Sequence, residues 1–169
     1  MALTTINAGG ISESKTLINV ATSDIDADVT STNSESYVEF FATTYNPDGG
    51  DNNTSTIYAF LNLSMTISHA AAALGQAKLK YSISGDDVTN VTNALNDNWL
   101  GSYDYGDSGV QTKHCSVIAL RPVTLDGTGS AALTYSVSSA NAEAHANASW
   151  TAHGTGVNDE TFLIFVEVG

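Results

Sequence analysis

Apolar and polar residues alternate along a long stretch in the middle of this chain. In STIYAFLNLSMTIS, residues 55–68, one face is wholly apolar and consists of Ile57, Ala59, Leu61, Leu63, Met65 and Ile67. The residues between them form a second face that mixes aromatic side chains with Asn, Ser and Thr. Successive side chains of a strand point to opposite faces, so a period of two residues is typical of a strand with one buried face. We therefore expect a long β-strand here.

The same alternation recurs in other segments, which are AKLKYSIS, AALTYSVSS, AHANASWTA and the closing TFLIFVEV. Two more segments, SYVEFFATTY and CSVIALRPV, are apolar on both faces, as is expected of strands that are covered on two sides. Stretches rich in Gly, Asn and Asp separate them and predict turns. Seven or eight strands with turns between them predict an all-β fold. The expected architecture is an antiparallel, jelly-roll-like β-sandwich.

The first residues of the chain fit this plan less well. Residues 1–33 are rich in Ser, Thr, Asn and Asp, with only scattered Ile, Leu and Val. This composition predicts an extended N-terminal arm, used for attachment or assembly, in front of a sandwich domain that spans residues 34–169.

A second exception is DNWLGSYDYGDSGVQT, residues 97–112, which predicts a long loop with aromatic side chains. Aromatic residues in a loop suit sugar stacking or a protein contact, because one end of the side chain is apolar and the other is polar. The competing interpretation is that they cap one end of the sandwich. The candidate glycan or receptor contacts are Trp99, Tyr103, Tyr105 and, from a later segment, Trp150.

The closing strand TFLIFVEVG is apolar on both faces, which implies that both faces are covered. We expect Phe162 and Ile164 to pack in the core, and Leu163 and Phe165 to lie at a subunit contact. Glu167 is expected near the rim of the sandwich.

Charge restricts the possible partners. The chain has 169 residues, with five Lys and Arg against 18 Asp and Glu, so its net charge is -13. Nucleic acids and anionic membrane surfaces are poor partners for such a chain, because both are bound through Lys and Arg. No stretch approaches the roughly 18 apolar residues of a membrane-spanning helix. The opening MALTTINAGGIS lacks the pattern of a signal peptide, so we expect synthesis in the cytoplasm without signal-dependent secretion.

The sequence shows no recognisable catalytic motif. The four histidines, His69, His114, His145 and His153, have no metal-binding spacing, and there is no nucleophile elbow or phosphate-binding loop. His114 and Cys115 are neighbours on a predicted strand, so their side chains point to opposite faces. No pair of carboxylates indicates glycoside hydrolysis. We therefore expect a non-enzymatic protein, with a glycan hydrolase as a disfavoured alternative.

The expected cofactor is none, although two acidic segments are calcium candidates. In DIDADVTSTNSE, Asp24, Asp26, Asp28 and Glu35 occupy positions 1, 3, 5 and 12 of a calcium loop. Val29 stands where that loop needs glycine, so an acidic turn without metal is the competing interpretation. NPDGGDNN offers a second candidate through Asp48 and Asp51.

The layout of the chain resembles a known group of proteins. MALTTINAGGIS is similar to the opening of many phage tail-fibre and virion-surface proteins. From about Ser36 onward, the chain resembles a β-sandwich domain of tailed-bacteriophage (cyanophage-like) fibres in the order and residue pattern of its strands. The segments that carry this resemblance are SYVEFFATTYNP, STIYAFLNLSMTIS, AKLKYSISGDD and ETFLIFVEVG. The resemblance includes no catalytic signature and transfers no functional residues.

This resemblance implies a structural protein on the virion surface, either a head decoration or knob protein or a short tail fibre. The implied partners are other copies of the chain, as a homotrimer, and other virion proteins, with a host-surface glycan as a further candidate. The alternative function is a carbohydrate-binding module or adhesin tip that uses the aromatic residues of the predicted loop.

Overall fold

The regular elements of the described chain are β-strands. The computed structural model describes residues 16–32, 36–48, 54–69, 75–85, 98–105, 109–128, 132–141, 149–154 and 160–169. Within these ranges the strands are β1 (Leu17–Asp24), β2 (Val29–Thr32), β3 (Val38–Tyr45), β4 (Thr56–His69), β5 (Gly75–Ser84), β6 (Asn98–Tyr105), β7 (Gly109–Ala119), β8 (Val123–Thr124), β9 (Leu133–Asn141), β10 (Ser149–Ala152) and β11 (Phe162–Val168). Within the same ranges, the chain has no helix that is long and apolar enough to cross a membrane.

The strands form two antiparallel sheets. The larger sheet has the order β1-β11-β4-β10-β2, and β7 and β8 pair with the opposite edge of β4. The smaller sheet has the order β3-β9-β5-β6. The chain passes repeatedly from one sheet to the other, for example from β3 to β4 and from β4 to β5, as it does in jelly rolls. The predicted all-β, antiparallel sandwich is confirmed.

Aromatic rings join the two sheets face to face. Phe165 of the larger sheet stacks on Tyr45 of the smaller sheet, with ring centroids 4.8 Å apart, and meets Tyr135 edge-on at 5.0 Å. Trp150 of β10 and Phe40 of β3 make a further edge-on contact at 5.7 Å. The space between the sheets is therefore the hydrophobic core.

The predicted inward residues of the central strands form this core. All six apolar residues of the alternating face of β4 are buried, as are Leu79, Tyr81 and Ile83 of β5 and Leu133, Tyr135 and Val137 of β9. On β3, Phe40 and Phe41 are both buried because a register shift between Glu39 and Phe41 breaks the alternation.

The predicted long loop at residues 97–112 is wrong. Its first part forms β6, which pairs with β5 from Asn98 opposite Tyr81 to Tyr105 opposite Gly75. Its last part belongs to β7, which pairs with β4. Glycine and aspartate hide the strand pattern in this segment. Neighbouring strands nevertheless supply the backbone hydrogen bonds that make it a strand, as tertiary context often does.

Part of the predicted N-terminal arm also lies within the larger sheet. β1 pairs with β11 over its whole length, and β2 pairs with β10. On the inward face of β1, the Asn19 amide donates to the Tyr45 hydroxyl at 3.4 Å, and the hydroxyls of Ser23 and Thr43 bond at 2.8 Å. These hydrogen bonds between the sheets explain why the sequence of this strand does not have the apolar pattern of a core strand. Residues 1–15 and 33–35 lie outside the described ranges.

Candidate assembly surface

The last strand faces the core with the side opposite to the one predicted. Leu163 and Phe165, the predicted subunit contacts, are buried in the core with 0% and 2% of their surface exposed. Phe162 and Ile164, the predicted core residues, are only half-buried and lie on the outward face. Both faces of the strand are apolar, so alternation alone could not assign the inner one.

Glu167 shows which face is inward, and the prediction that it lies near the rim is wrong. Its side chain is fully buried on the same side of β11 as Leu163 and Phe165. Its Oε2 atom accepts hydrogen bonds from the Tyr45 hydroxyl and the Asp48 backbone N–H, each at 3.0 Å, and Oε1 accepts one from the Ser55 hydroxyl at 2.6 Å. Three donors stabilise a carboxylate that would otherwise be costly to bury.

The outward side of the larger sheet carries a continuous apolar surface, here called the outer apolar face. Its residues come from β1, β4 and β11 and are Ile18, Val20, Tyr58, Phe60, Ile164 and Val166. Val20, Val166 and Tyr58 form one cross-strand row, and Ile164 and Phe60 lie in the next row, which the exposed Thr22 of β1 completes at the edge of the sheet. Side chains in such rows are direct neighbours, so the surface has no polar gap at its centre.

Exposure distinguishes this face from the rest of the described surface. Among the side chains that the structure describes, four large apolar ones are exposed, and three of them belong to the outer apolar face: Val20 at 54%, Ile18 at 40% and Tyr58 at 37%. The fourth, Tyr37, lies beneath the Lys80 ammonium group, which is 4.3 Å from its ring centroid. Single exposed apolar residues are common, but a contiguous group of them is typical of an interaction surface.

The outer apolar face is uncharged, although the chain has a net charge of -13. The nearest acidic residues of the sheet lie at one end of it, where Asp24 pairs in register with Phe162. β1 also forms the edge of the sheet, since β11 is its one partner among the described strands. Edge strands are usually protected by charges, by proline or by being short. β1 is eight residues long and has Asp24 as its single charged residue.

The candidate sugar-binding residues fall into two groups. Trp150 is fully buried and packs against Phe40, so its ring is not available for stacking on a sugar. Trp99, Tyr103 and Tyr105 lie on β6 rather than in a loop, and their side chains are outside the described part of the structure.

Three of the calcium candidates lie at the end of β1 and in the segment between β1 and β2. Asp24 is part of β1, and Asp28 accepts a hydrogen bond from the backbone N–H of Gly154 at 2.9 Å. Asp26 is exposed in the bend between β1 and β2. Glu35 and Asp51 lie outside the described residues. Within the described ranges, no three His, Cys, Asp or Glu side chains are grouped so that they could hold a metal ion.

His153 joins three segments of the larger sheet. Its Nδ1 atom lies 3.2 Å from the Asp28 carboxylate, and its Nε2 atom lies 2.6 Å from the Thr66 hydroxyl. Its backbone N–H donates to the Ser64 carbonyl at 3.0 Å. The bond from Gly154, followed by the His153 side chain, lowers the pKa of Asp28 despite some desolvation. These partners tie the end of β10 to β4 and to the segment before β2.

Sequence reasoning missed the outer apolar face and the burial of Glu167. The signal for the first was present, because β11 is apolar at every position from Phe162 to Val166. Assigning its faces required knowing that β1 and β4 flank it. Nothing local to Glu167 indicates burial, since its donors come from residues more than 110 positions away.

Comparisons with known proteins give no family. No family model matches the chain, and no curated protein matches it. Among solved structures it is similar to a chain of the infectious bursal disease virus Gx strain, with 12% identity, a TM-score of 0.35 and coverage of 88% of this chain. The Gt strain of that virus gives 12% identity, a TM-score of 0.32 and 89% coverage, and its VP2 subviral particle gives 8%, 0.28 and 89%. This chain spans 36%, 37% and 40% of those chains.

Proposed function

We propose that this chain is a non-enzymatic structural protein on the outer surface of a tailed-phage virion. It serves there as a head decoration or knob protein or as a short tail fibre, and it contributes to particle stability or host attachment. The observation that carries the proposal is the outer apolar face, an uncharged apolar surface on a strongly acidic chain. A surface of this kind favours a lasting protein contact, because burying it removes apolar area from water without burying a charge.

The position of Thr16, where the described part of the chain begins, supports attachment at the same side of the molecule. Thr16 and Gly169 exchange both backbone hydrogen bonds, at 2.9 and 3.0 Å, so the chain enters the sandwich beside β1 and β11. Residues 1–15 therefore join the sandwich next to the outer apolar face. An N-terminal segment and this face can then contact the particle together, and two linked contacts bind more tightly than either alone.

The resemblance to phage fibre and virion-surface proteins supports the same proposal. The two sheets enclose an aromatic core, and the buried Glu167 carboxylate accepts three hydrogen bonds beside it. Such a fold suits a protein that must persist on a particle outside a cell. The alternative, a carbohydrate-binding module, loses Trp150 as a stacking residue because that ring lies in the core. It then depends on Trp99, Tyr103 and Tyr105.

The proposal is tested on purified particles from the source of the sequence. Quantitative mass spectrometry gives the number of copies of the chain per particle, and antibody labelling in electron micrographs gives their position. We expect many copies that are accessible from outside, on the head for a decoration protein or on the tail for a fibre. Absence of the chain from purified particles would overturn the proposal.

Deletion of residues 1–15 tests the arm separately. This deletion leaves β1 intact, whereas a longer one would remove a strand of the sheet. We expect the shortened protein to fold normally and to be incorporated less efficiently into particles. Unchanged incorporation would show that residues 1–15 are not needed for attachment to the particle.

A further inference from the structure

We infer that an extended segment of another virion protein adds to the β1 edge of the larger sheet. In this arrangement an apolar side chain of the segment covers the outer apolar face, and a Lys or Arg side chain of the segment enters an acidic cavity at the end of that face. The inference rests on the proposed function and names the chemistry of the partner at its assembly surface.

The cavity lies beside the outer apolar face and has a volume of about 250 Å³. It is open to solvent, and its lining residues are Thr22, Asp24, Glu160 and Phe162. Thr22 and Asp24 are exposed residues of β1, and Asp24 pairs in register with Phe162 of β11. Two carboxylates beside an aromatic ring suit a cationic side chain, because the carboxylates and the face of the ring both attract positive charge.

Hydrogen bonds hold one wall of this cavity in place. The Asn62 side chain donates to the Glu160 backbone carbonyl at 2.7 Å. The hydroxyl of the next residue, Thr161, donates to the Ser64 carbonyl and accepts from the Ser64 N–H, each at 3.1 Å. A cavity that is already formed binds a ligand at a lower entropic cost than one that must first be ordered.

Electrostatics select a basic partner. The chain has a net charge of -13, so its field attracts a positively charged segment and repels an acidic one. The outer apolar face carries no charge of its own, and the Asp24 and Glu160 carboxylates therefore give this attraction a definite place at its end. A second copy of the chain has the same negative net charge and is disfavoured as the occupant.

The β1 edge offers hydrogen bonds to the backbone of such a segment. Among the described strands, β11 is the one partner of β1. The Ile25 N–H donates to the Thr161 carbonyl at 3.3 Å, and bonded and non-bonded pairs alternate along antiparallel strands. Asp24, Thr22 and Val20 are therefore in non-bonded pairs with β11, and their N–H and C=O groups point to the opposite edge. A strand added there can bond to all three residues.

The register of this edge sets the sequence pattern of the added strand. Its residues opposite Asp24 and Val20 place their side chains on the outward side of the sheet, as those two residues do. A basic residue opposite Asp24 reaches the cavity. An apolar residue opposite Val20 covers the most exposed side chain of the outer apolar face. The segment therefore has a basic and an apolar residue separated by three others.

The size of the outer apolar face also suits a single strand. Three strands about 4.8 Å apart, over about 15 Å of strand length, give an area on the order of 200 Å². Two folded proteins that bind stably bury about 800 Å² each, which is far more than this face supplies. An added strand needs less area, because hydrogen bonds between the main chains contribute to its binding.

Photo-crosslinking in assembled particles identifies the occupant. p-Benzoylphenylalanine replaces Val20, or Thr44 as the control, since Thr44 is exposed on the smaller sheet. Mass spectrometry then locates the crosslinked peptide. We expect Val20, and not Thr44, to give a crosslink to another virion protein within a segment that has the basic and apolar pattern.

Every other crosslinking result counts against the inference. A crosslink to a second copy, to residues 1–15 of the same chain or to a segment without a basic residue would overturn it. So would the absence of a crosslink from particles that contain the chain. Absence of the chain itself from purified particles would instead overturn the proposed function.

Charge reversal tests the cavity. Asp24→Lys should reduce the number of copies per particle at least about tenfold, because it opposes two like charges. Glu39→Lys is the matched control, since it changes the net charge equally at an exposed carboxylate of the smaller sheet, and it should be retained at the wild-type level. Replacing the basic residue of the crosslinked segment by Glu should restore retention of Asp24→Lys. Equal retention of the two variants, or failure of this restoration, would overturn the inference.

Discussion

The Tyr45 hydroxyl donates a 3.0 Å hydrogen bond to the buried carboxylate of Glu167, and this bond joins the smaller sheet to the last strand of the larger one. Burial, and then the bond to Glu167, raise the pKa of Tyr45 above its usual value, so the phenol stays protonated and remains a donor. The ring of the same tyrosine stacks on Phe165 of that strand. One residue of β3 thus holds β11 both by an apolar and by a polar contact.

Removing the Glu167 carboxylate should destabilise the fold strongly. Glu167→Ala leaves the Tyr45 hydroxyl, the Ser55 hydroxyl and the Asp48 N–H without their acceptor, and we expect a loss of about 3 kcal/mol in the free energy of unfolding. Denaturant unfolding measures it. Glu39→Ala is the control, because Glu39 is an exposed carboxylate that accepts a bond from Ser136. A similar loss in both variants would contradict the assigned role of Glu167.

Two tyrosines of the core should respond oppositely to removal of their hydroxyls. The Tyr135 hydroxyl is buried and has no hydrogen-bond partner among the residues that the structure describes, so Tyr135→Phe should leave stability unchanged or raise it by about 1 kcal/mol. Tyr45→Phe should lower stability by about 2 kcal/mol, since it removes a bond to a charged group. The same unfolding assay compares the two variants. Equal losses would show that the Tyr135 hydroxyl has a partner after all.

The two faces of β11 can be distinguished by a pair of alanine substitutions. Leu163→Ala removes a fully buried side chain and should cost about 3 kcal/mol, because it leaves a cavity in the core. Ile164→Ala removes a half-buried side chain of the outer apolar face and should cost about 1 kcal/mol at concentrations where the protein is monomeric. A larger loss of stability in Ile164→Ala than in Leu163→Ala would contradict this assignment of the two faces.

The lowered pKa of Asp28 makes the free energy of unfolding depend on pH. Because the folded state lowers this pKa below its ordinary value of 3.8, the carboxylate contributes stability that is present above that value and is lost as pH falls through the folded-state pKa. Asp28→Asn should therefore be less stable than the wild type at neutral pH, and the difference should shrink below about pH 4. Unfolding midpoints between pH 7 and pH 2 measure this. Asp24→Asn, which removes one exposed charge nearby, is the control.

The part of the fold that could be predicted is the part in which one face of a strand is clearly polar. β4, β5 and β9 alternate cleanly, so both their existence and their inward residues follow from the sequence. β6 could not be predicted, because Gly101 and Asp104 interrupt any alternation and its backbone is organised by pairing with β5. β1 did not follow either, since polar bonds rather than apolar packing tie it to the smaller sheet.

The candidate site was predictable only in outline. The sequence shows that β11 has two apolar faces and therefore needs two partners, and one partner is the core. Which face meets the core depends on Tyr45, Tyr135 and the donors of Glu167, all distant in sequence. Leu163 and Phe165, which were expected at a subunit contact, consequently lie in the core, and Ile164 and Val166 lie on the outward side of the strand.

We propose that the outer apolar face attaches this protein to the virion. This attachment is tested with particles assembled from Val20→Asp or from Thr44→Asp in place of the wild-type chain. Thr44→Asp is the matched control, because Thr44 is exposed on the smaller sheet. The measurement is the number of copies of each variant that a purified particle retains. We predict that Val20→Asp is folded but largely absent from the particles, while Thr44→Asp is retained at the wild-type level. Equal retention of the two variants would contradict the claim.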